Sequence, residues 1–310
     1  SFEETLELGR EYEKQHPEAF EQSVAMGKGD DPCQFAYTSG TTGQPKGAVH
    51  TYNNVLNMER AWAVVEPLKE TDNLLSFVPL GWFAEWEASI YRGLLAGAML
   101  NFPEEPETMQ ADIRELGVNY AFISPKLLEV QIGQMETNVA DSTALKRLIY
   151  HLLMPVGYKV TRLKMDKERI NLFWRLLYRV ADLVLFRQVR DKLGYPKVRT
   201  LYTAGSIVAP EIYLYYHAVG VNLKNFFGIT EAGGIPLAHR DGDIKFETVG
   251  PPLPEMEVRI TDGGEVLLRT PGMFVGYHKN PEAYAKAVIN GWLCTGDSGL
   301  IDADGHMVFL

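Results

Sequence analysis

The sequence predicts an α/β fold of stacked, mostly parallel sheets with flanking helices, followed by a small distorted antiparallel β-barrel subdomain. Three observations carry this. Short apolar runs of strand length alternate with longer helical stretches as far as Ile235, which is the pattern of parallel strands joined by helices. From Pro236 onward, short β-rich runs are separated by Asp-Gly and Gly-Gly turns, the grammar of antiparallel hairpins. No run of about 20 apolar residues occurs, so no segment is built to span a bilayer as a helix.

Taken in order, residues 3–24 read as one amphipathic helix ending near Gly27 and Gly29. Cys33 to Thr38 is an apolar run that stops at a glycine-rich loop, as a strand does before a turn. Val55 to Val65 reads as a helix and Leu74 to Pro79 as a buried strand. Tyr120 to Ser124, Val198 to Thr203 and Val221 to Phe227 are further strands. Ile170 to Leu193 is a long helical pattern rich in Leu, Phe, Trp and Tyr. Beyond Pro236, Glu257 to Ile260 and Glu265 to Arg269 are short β runs. The expected division is 1–70, the end of a first α/β subdomain with the glycine-rich loop; 71–235, a second α/β subdomain with a basic helical insert; and 236–310, the β-barrel subdomain.

Composition narrows the function. The chain is 46% hydrophobic and 23% charged, ordinary for a soluble globular enzyme. Its net charge of −10 excludes a nucleic-acid binder in the usual sense. Cys33 and Cys294 form no CxxC, so neither a disulfide framework nor a zinc site is indicated, and a reducing cytosol fits. Ser1 to His16 is polar and acidic, unlike a signal peptide. The seven histidines show no metal-site spacing, and His50 reads as structural. Charge is uneven: Gly157 to Arg199 holds twelve Lys/Arg and four Asp/Glu, a local +8 against −18 elsewhere.

The loop Thr38-Ser39-Gly40-Thr41-Thr42-Gly43-Gln44-Pro45-Lys46-Gly47 packs four hydroxyls, three glycines and a lysine into ten residues after a strand. Glycines let backbone approach a ligand. Free N–H groups and hydroxyls offer donors to phosphate oxygens, and Lys46 adds a mobile positive charge. It is not a Walker loop, which would need Gly at Pro45 and Ser or Thr at Gly47. Composition alone also allows a flexible surface loop.

The loop resembles the phosphate loop of the adenylate-forming (ANL) superfamily of acyl-CoA synthetases, luciferases and carrier-loading adenylation domains, matching every element of its Ser/Thr-Ser-Gly-Thr-Thr-Gly-x-Pro-Lys-Gly pattern. Further matches follow in the family's order. Phe227-Gly228-Ile229-Thr230-Glu231 resembles its Tyr-Gly-x-Thr-Glu motif, with Phe in place of Tyr. Trp292-Leu293-Cys294-Thr295-Gly296-Asp297 resembles its Trp-x-x-Thr-Gly-Asp motif. Thr203-Ala204-Gly205-Ser206-Ile207 stands where the family often has Ser-Gly-Gly-Ala-Pro, and Gly264-Glu265-Val266 with Gly276-Tyr277 resembles a structural stretch. Tyr52 replaces a histidine that many members carry, and Trp82 replaces the histidine of a Pro-Leu-x-His segment.

The resemblance implies roles. Thr38, Ser39, Gly40, Thr41, Thr42, Gly43 and Lys46 would hold phosphates. Gly205, Ser206 and Gly228 would admit the nucleotide close to backbone. Phe227 would stack on adenine, Thr230 would contact the α-phosphate, Glu231 would hold Mg²⁺, and Asp297 would accept both ribose hydroxyls, which suits a carboxylate. Thr230, Glu231 and Lys46 would be the catalytic set. Trp82 and Trp86, four apart, would share a helix face and line an acyl pocket, or be two core aromatics.

The implied activity is ATP-dependent activation of a carboxylic acid, of medium or long chain because the aromatic helix near Ile170–Leu193 resembles long-chain fatty acyl-CoA synthetases. The implied cofactors are ATP, Mg²⁺ and coenzyme A. Carrier-protein loading or acyl-AMP ligation would use the same motifs, and a nucleotide-binding fragment without turnover belongs to another class. The family's C-terminal catalytic domain is expected to be missing, leaving an N-terminal-domain fragment weakly active or inactive alone. The basic aromatic helix has three possible homes: the core, an anionic membrane surface, or the phosphates of CoA.

Overall fold

The computed structural model describes residues 1–38, 44–205 and 208–310. The chain opens with two helices, Phe2–Gln15 and Ala19–Met26, rather than the single helix expected over 3–24. Pro17 causes the break. A residue before proline is pushed out of the helical region, and His16 sits at φ −135°, ψ 63°. Neither helix has a buried residue.

Strand β1 (Pro32–Thr38) and strand β2 (Lys46–Thr51) form an antiparallel hairpin around the glycine-rich loop. The helix Tyr52–Val65 follows directly, capped reciprocally by Thr51 and Asn54. It buries Val55, Met58, Ala61 and Trp62.

The main sheet has six strands in the order β4-β3-β5-β6-β7-β8. They are β3 (Asn73–Leu75), β4 (Met99–Asn101), β5 (Tyr120–Phe122), β6 (Thr200–Thr203), β7 (Leu223–Ile229) and β8 (Gly234–Ala238). The first five are parallel, and β8 returns antiparallel along β7. Every residue of β6 and β8 is buried, as expected where both faces of a sheet are covered. The strand expected over Leu74–Pro79 ends at Leu75, and its last ladder bond is from the Ser76 N–H to the Asn101 carbonyl. Beyond it the Val78 N–H donates to the Glu85 carboxylate rather than to a strand, and Pro79 has no N–H to give.

Between β5 and β6 lies the helical insert: Pro125–Ala140, Ala144–Met165, then a helix running from Leu172 to Leu193 with a π-helical turn at Asp182–Phe186. Its inner face (Ala181, Leu185, Phe186, Val189, Leu193) joins the largest core with Tyr195, Leu201 and Tyr216.

After β8 the strands are β9 (Glu257–Ile260), β10 (Glu265–Arg269), β11 (Gly276–Tyr277), β12 (Val288–Ile289), β13 (Trp292–Ile301) and β14 (Met307–Phe309). All pair antiparallel, in the order β12-β13-β10-β9 with β14 on β13. Along β10, Val266 and Leu268 alternate inward, the two-residue period of a half-covered strand. Strand β11 instead pairs with β2, giving a three-stranded sheet. A further core of Ala48, Ala232, Leu237, Val266, Leu268 and Leu293 ties the hairpin, β8 and the antiparallel sheet together. The fold is therefore α/β, with a mostly parallel sheet flanked by helices and an antiparallel unit after it.

Candidate active site

A cavity of about 1020 Å³ opens beyond the carboxyl ends of β5, β6 and β7, where open parallel sheets bind ligands. Ser124 and Gly205, each just past its strand, and Phe227 and Gly228 within β7 contribute to its wall. Thr230 and Asp297 complete the polar side. Five residues predicted for the nucleotide, Gly205, Phe227, Gly228, Thr230 and Asp297, thus meet around one space although they span more than ninety positions of the chain. The Phe227 ring packs on Phe309 at 4.4 Å between centroids, leaving it as one wall of the cavity.

Asp297 reaches the cavity because β13 is irregular there. The β10–β13 register slips between Glu265 and Leu267, and Gly296 sits at φ +77°, a conformation that glycine tolerates. The Thr295 hydroxyl accepts the Asp297 N–H at 3.1 Å and fixes the kink. Burial raises the Asp297 carboxyl above its usual range.

A second cluster forms on the far side of the Thr230–Glu231 turn. Oε1 of Glu231 accepts the Tyr277 hydroxyl at 2.7 Å and the Thr38 hydroxyl at 3.2 Å. The Lys46 ammonium lies 5.4 Å from the centre of the Tyr277 ring. Thr38, Lys46 and Glu231 therefore gather at the base of the glycine-rich loop, next to the cavity but not on its wall. The predicted phosphate-loop residues Ser39, Gly40, Thr41, Thr42 and Gly43, and Ser206 after β6, lie outside the described residues. Tyr277 escaped the sequence reading, which took Gly276-Tyr277 as structural. The pairing of β11 with β2 brings it here, and nothing in the local sequence signals that.

Among the described residues no group of three or more His, Cys, Asp or Glu gathers to hold a metal alone. Glu231 nonetheless suits Mg²⁺ bound with phosphates. Such sites need only one or two carboxylates, and both hydroxyls fall on Oε1, leaving Oε2 without a hydrogen-bond partner among the described residues.

The other half of the cavity is apolar: Phe77, Trp82, Phe83, Phe122, Phe226 and Ile235. Trp82 is on its wall, but Trp86 is not, and the expected shared helix face is corrected. Trp82 stands before the first helical residue at ψ 129°, and a π-helical turn starts at Trp86, so spacing of four carries no helical register here. The Trp86 indole instead donates to the Leu80 carbonyl at 2.7 Å. His50 is buried and stacks on Phe83 at 4.4 Å, with burial lowering its pKa to about 4. It is a neutral core group, in keeping with the structural reading.

Behind the apolar wall lies a buried polar cluster that sequence reading did not find. Glu59, Glu87 and Arg92 are all buried, and Glu87 touches the cavity. Desolvation raises the carboxyls of Glu59 and Glu87, the latter to about 8, and the charge of Glu87 adds to the shift at Glu59. Both carboxyls are therefore held toward the protonated form near neutral pH, beside the buried Arg92 guanidinium.

Residues 2–278 match the family of AMP-binding enzymes, and the chain belongs to that family. It is homologous to fatty-acid–CoA ligases: it is 27% identical over 286 residues to long-chain-fatty-acid–CoA ligase FadD15 of Mycobacterium bovis, covering 92% of this chain and 47% of that protein. It is also 27% identical to the peroxisomal long chain acyl-CoA synthetase 7 of Arabidopsis thaliana, covering 88% of this chain and 40% of the relative. Among solved structures, the N-terminal domain of FACL13 from Mycobacterium tuberculosis superposes with a TM-score of 0.65 at 22% identity, over 92% of this chain and 61% of that one. Apo MatB from Rhodopseudomonas palustris gives 0.64 at 18%, over 91% and 48%. The chain spans about half the length of the curated relatives it matches.

Proposed function

We propose that this chain forms the site in which a fatty acid of medium or long chain is activated by ATP to an acyl adenylate, from which the acyl group passes to coenzyme A. The observation that carries the reading is the composite cavity: Phe227, Thr230 and Asp297 border the same space as Phe77, Trp82 and Phe122. A nucleotide and an apolar acid can therefore meet end to end.

In that reading the acid's carboxylate oxygen forms a bond to the α-phosphorus as the bond to pyrophosphate breaks. Two anions must approach, so positive groups and hydrogen-bond donors aimed at the phosphates lower the barrier. Lys46 supplies charge beside the loop, and Thr230 lines the cavity. Asp297 accepts the ribose hydroxyls, while the Phe227 face receives adenine. Glu231, steadied by Tyr277 and Thr38, would hold Mg²⁺ through its free oxygen, and the bound cation would neutralise phosphate charge. The proposed division of labour follows the three segments: the hairpin of 1–70 for phosphates, 71–235 for the acid and adenine, and 236–310 for ribose. Because long-chain acids partition into bilayers, the reading includes peripheral contact with an anionic membrane.

Calorimetry of the purified chain tests it. AMP binding that is strengthened by a long-chain acid, or acyl-AMP formation from ATP and that acid, is expected. Absence of any nucleotide binding would overturn the reading.

A further inference from the structure

Among the described residues, three carboxyl side chains line the cavity. Glu247 and Asp297 are exposed, whereas Glu87 is only 1% exposed. Glu87 lies in the π-helical turn Trp86–Tyr91 and shares the cavity wall with Phe83, Ala84 and Ile235. Its Oε2 has no hydrogen-bond partner among the described residues. Arg92 does not supply one: its Nη2 donates to the Glu66 carbonyl, and its Nη1 has no partner either. Buried polar atoms are nearly always paired, and an unpaired one costs free energy. Ligand pockets are mostly apolar, with a few polar groups that set specificity. An unpaired carboxyl oxygen in such a wall calls for an occupant that pairs with it.

Gly234 fixes where that pairing falls. A Cβ on Gly234 would stand 2.4 Å from the Glu87 carboxyl carbon, so the carboxyl rests against that backbone. Gly234 pairs with Ile229 across the β7–β8 ladder, and Ile229 directly precedes Thr230. Neighbouring strands lie about 5 Å apart, and residues along one strand about 3 Å. Glu87 is thus close to Thr230, and so to the head of an acid whose carboxylate meets the α-phosphate there. Phe77, Trp82 and Phe122 are left for its tail.

The state of Glu87 selects the group. Burial pushes its carboxyl up to about 8, so near neutral pH it is a neutral acid with one O–H donor and a carbonyl acceptor. A hydroxyl both donates and accepts, and matches it. An ammonium would meet the positive charge of Arg92. A second carboxylate would meet Glu59 and Glu87 in a site that already disfavours their charged forms.

We infer that Glu87 determines acid specificity: it hydrogen-bonds a hydroxyl near the carboxylate end of the acid, so the site takes hydroxylated fatty acids in preference to plain ones. The inference rests on the acyl-adenylate reading above and narrows its substrate class. A site built to bond a hydroxyl rejects the analogue lacking it far more strongly than an apolar pocket rejects an added hydroxyl.

Calorimetry of the purified chain saturated with AMP is the test, with dodecanoate, 3-hydroxydodecanoate and 12-hydroxydodecanoate as probes. The 3-hydroxy acid is expected to bind at least about tenfold more tightly than dodecanoate, and the 12-hydroxy acid no more tightly than dodecanoate. Glu87→Gln retains a donor and an acceptor and should retain the preference. Glu87→Met, apolar and of similar length, should abolish it by weakening the 3-hydroxy acid and tightening dodecanoate. Equal affinities in the parent overturn the inference, and so does a preference that survives in Glu87→Met. Should Glu87→Met lose its thermal transition, Glu87→Gln decides, and loss of the preference there overturns the inference. The two readings separate on the same samples. Dodecanoate binding without the preference removes the role of Glu87 alone, whereas AMP binding with no affinity for any of the acids removes the acyl reading and this inference with it.

Discussion

The Tyr277 hydroxyl donates a 2.7 Å hydrogen bond to Oε1 of Glu231, 46 residues earlier in the chain. Burial and the neighbouring carboxylate push the Tyr277 phenol up, so it remains a donor throughout the working pH range. The bond ties the proposed Mg²⁺ carboxylate to the sheet that carries Lys46, and the Tyr277 ring also lies against the Lys46 ammonium.

Tyr277→Phe keeps the ring and removes this bond. A hydrogen bond to a charged acceptor is worth about 1.5–3 kcal/mol, less where water can replace it. The expected result is an affinity for ATP with Mg²⁺ roughly tenfold weaker, with affinity for AMP without metal little changed. Calorimetry with the two ligands reads the difference. Equal losses for both would assign Tyr277 to general folding of the site.

Asp297 offers a second test. Asp297→Ala removes the carboxylate proposed to accept the ribose hydroxyls and leaves the Gly296 kink intact. AMP affinity should fall ten- to a hundredfold, for about 1.5–3 kcal/mol. The melting temperature of the ligand-free protein should not fall, since the Asp297 side chain is exposed and its carboxyl is shifted upward rather than stabilised as the anion. Unchanged AMP affinity would remove Asp297 from the site.

Gly234 begins β8 at φ +125°, and a Cβ there would stand 2.4 Å from the carboxyl carbon of Glu87. Gly234→Ala must strain the backbone and push Glu87 from its place, for a loss of about 2–4 kcal/mol. Gly9→Ala, on an exposed helix with nothing within 4 Å, is the control and should not destabilise. Adding Glu87→Ala should recover part of the loss but not all of it, because the backbone strain remains. Urea denaturation of the three variants decides; a Gly234→Ala protein as stable as the parent would contradict the close contact.

What could be read beforehand follows physical range. Runs such as Thr200–Thr203 and Glu265–Arg269 announce themselves because local pattern suffices. The gathering of Phe227, Thr230 and Asp297 followed from motif order, which carries tertiary information that spacing lacks. Three things were hidden. Helical register at Trp82 and Trp86 failed because Trp82 stands outside the helix, in extended backbone at ψ 129°. Glu59, Glu87 and Arg92 form their cluster across two helices, and each alone looks like a surface charge. The outward stripe of Phe173, Leu176 and Val180 reads as core until packing shows which side is covered.

The buried titratable groups also set how stability should vary with pH. Burial lowers His50 and His217 to about 4 and His239 to about 3; Lys164 and Lys224 add to this at His217, and His306 at His239. An unfolded histidine titrates near 6.5, so below that pH the unfolded chain takes up three protons that the folded chain refuses. The stabilisation is complete above about 6.5 and is lost as pH falls toward 4. Glu87 acts in the opposite sense. Its folded pKa of about 8 lies above the unfolded 4.5, so its contribution is complete below 4.5 and is lost as pH rises toward 8. Glu59 shifts in the same direction. Between 4.5 and 6.5 three histidines outweigh Glu59 and Glu87, with Glu85 and Asp297 shifted in the same direction as Glu87 but by less, and stability rises with pH. Above 6.5 only the carboxyls change, and stability falls. Each net proton contributes about 1.4 kcal/mol per pH unit. Urea denaturation at pH 5.5, 6.5 and 7.5 should therefore show a maximum near 6.5. Glu87→Gln, which cannot ionise, should flatten the alkaline side whatever its effect on absolute stability. A stability that keeps rising from pH 6.5 to 8, or an alkaline slope identical in Glu87→Gln, would rule out protonated carboxyls at Glu59 and Glu87.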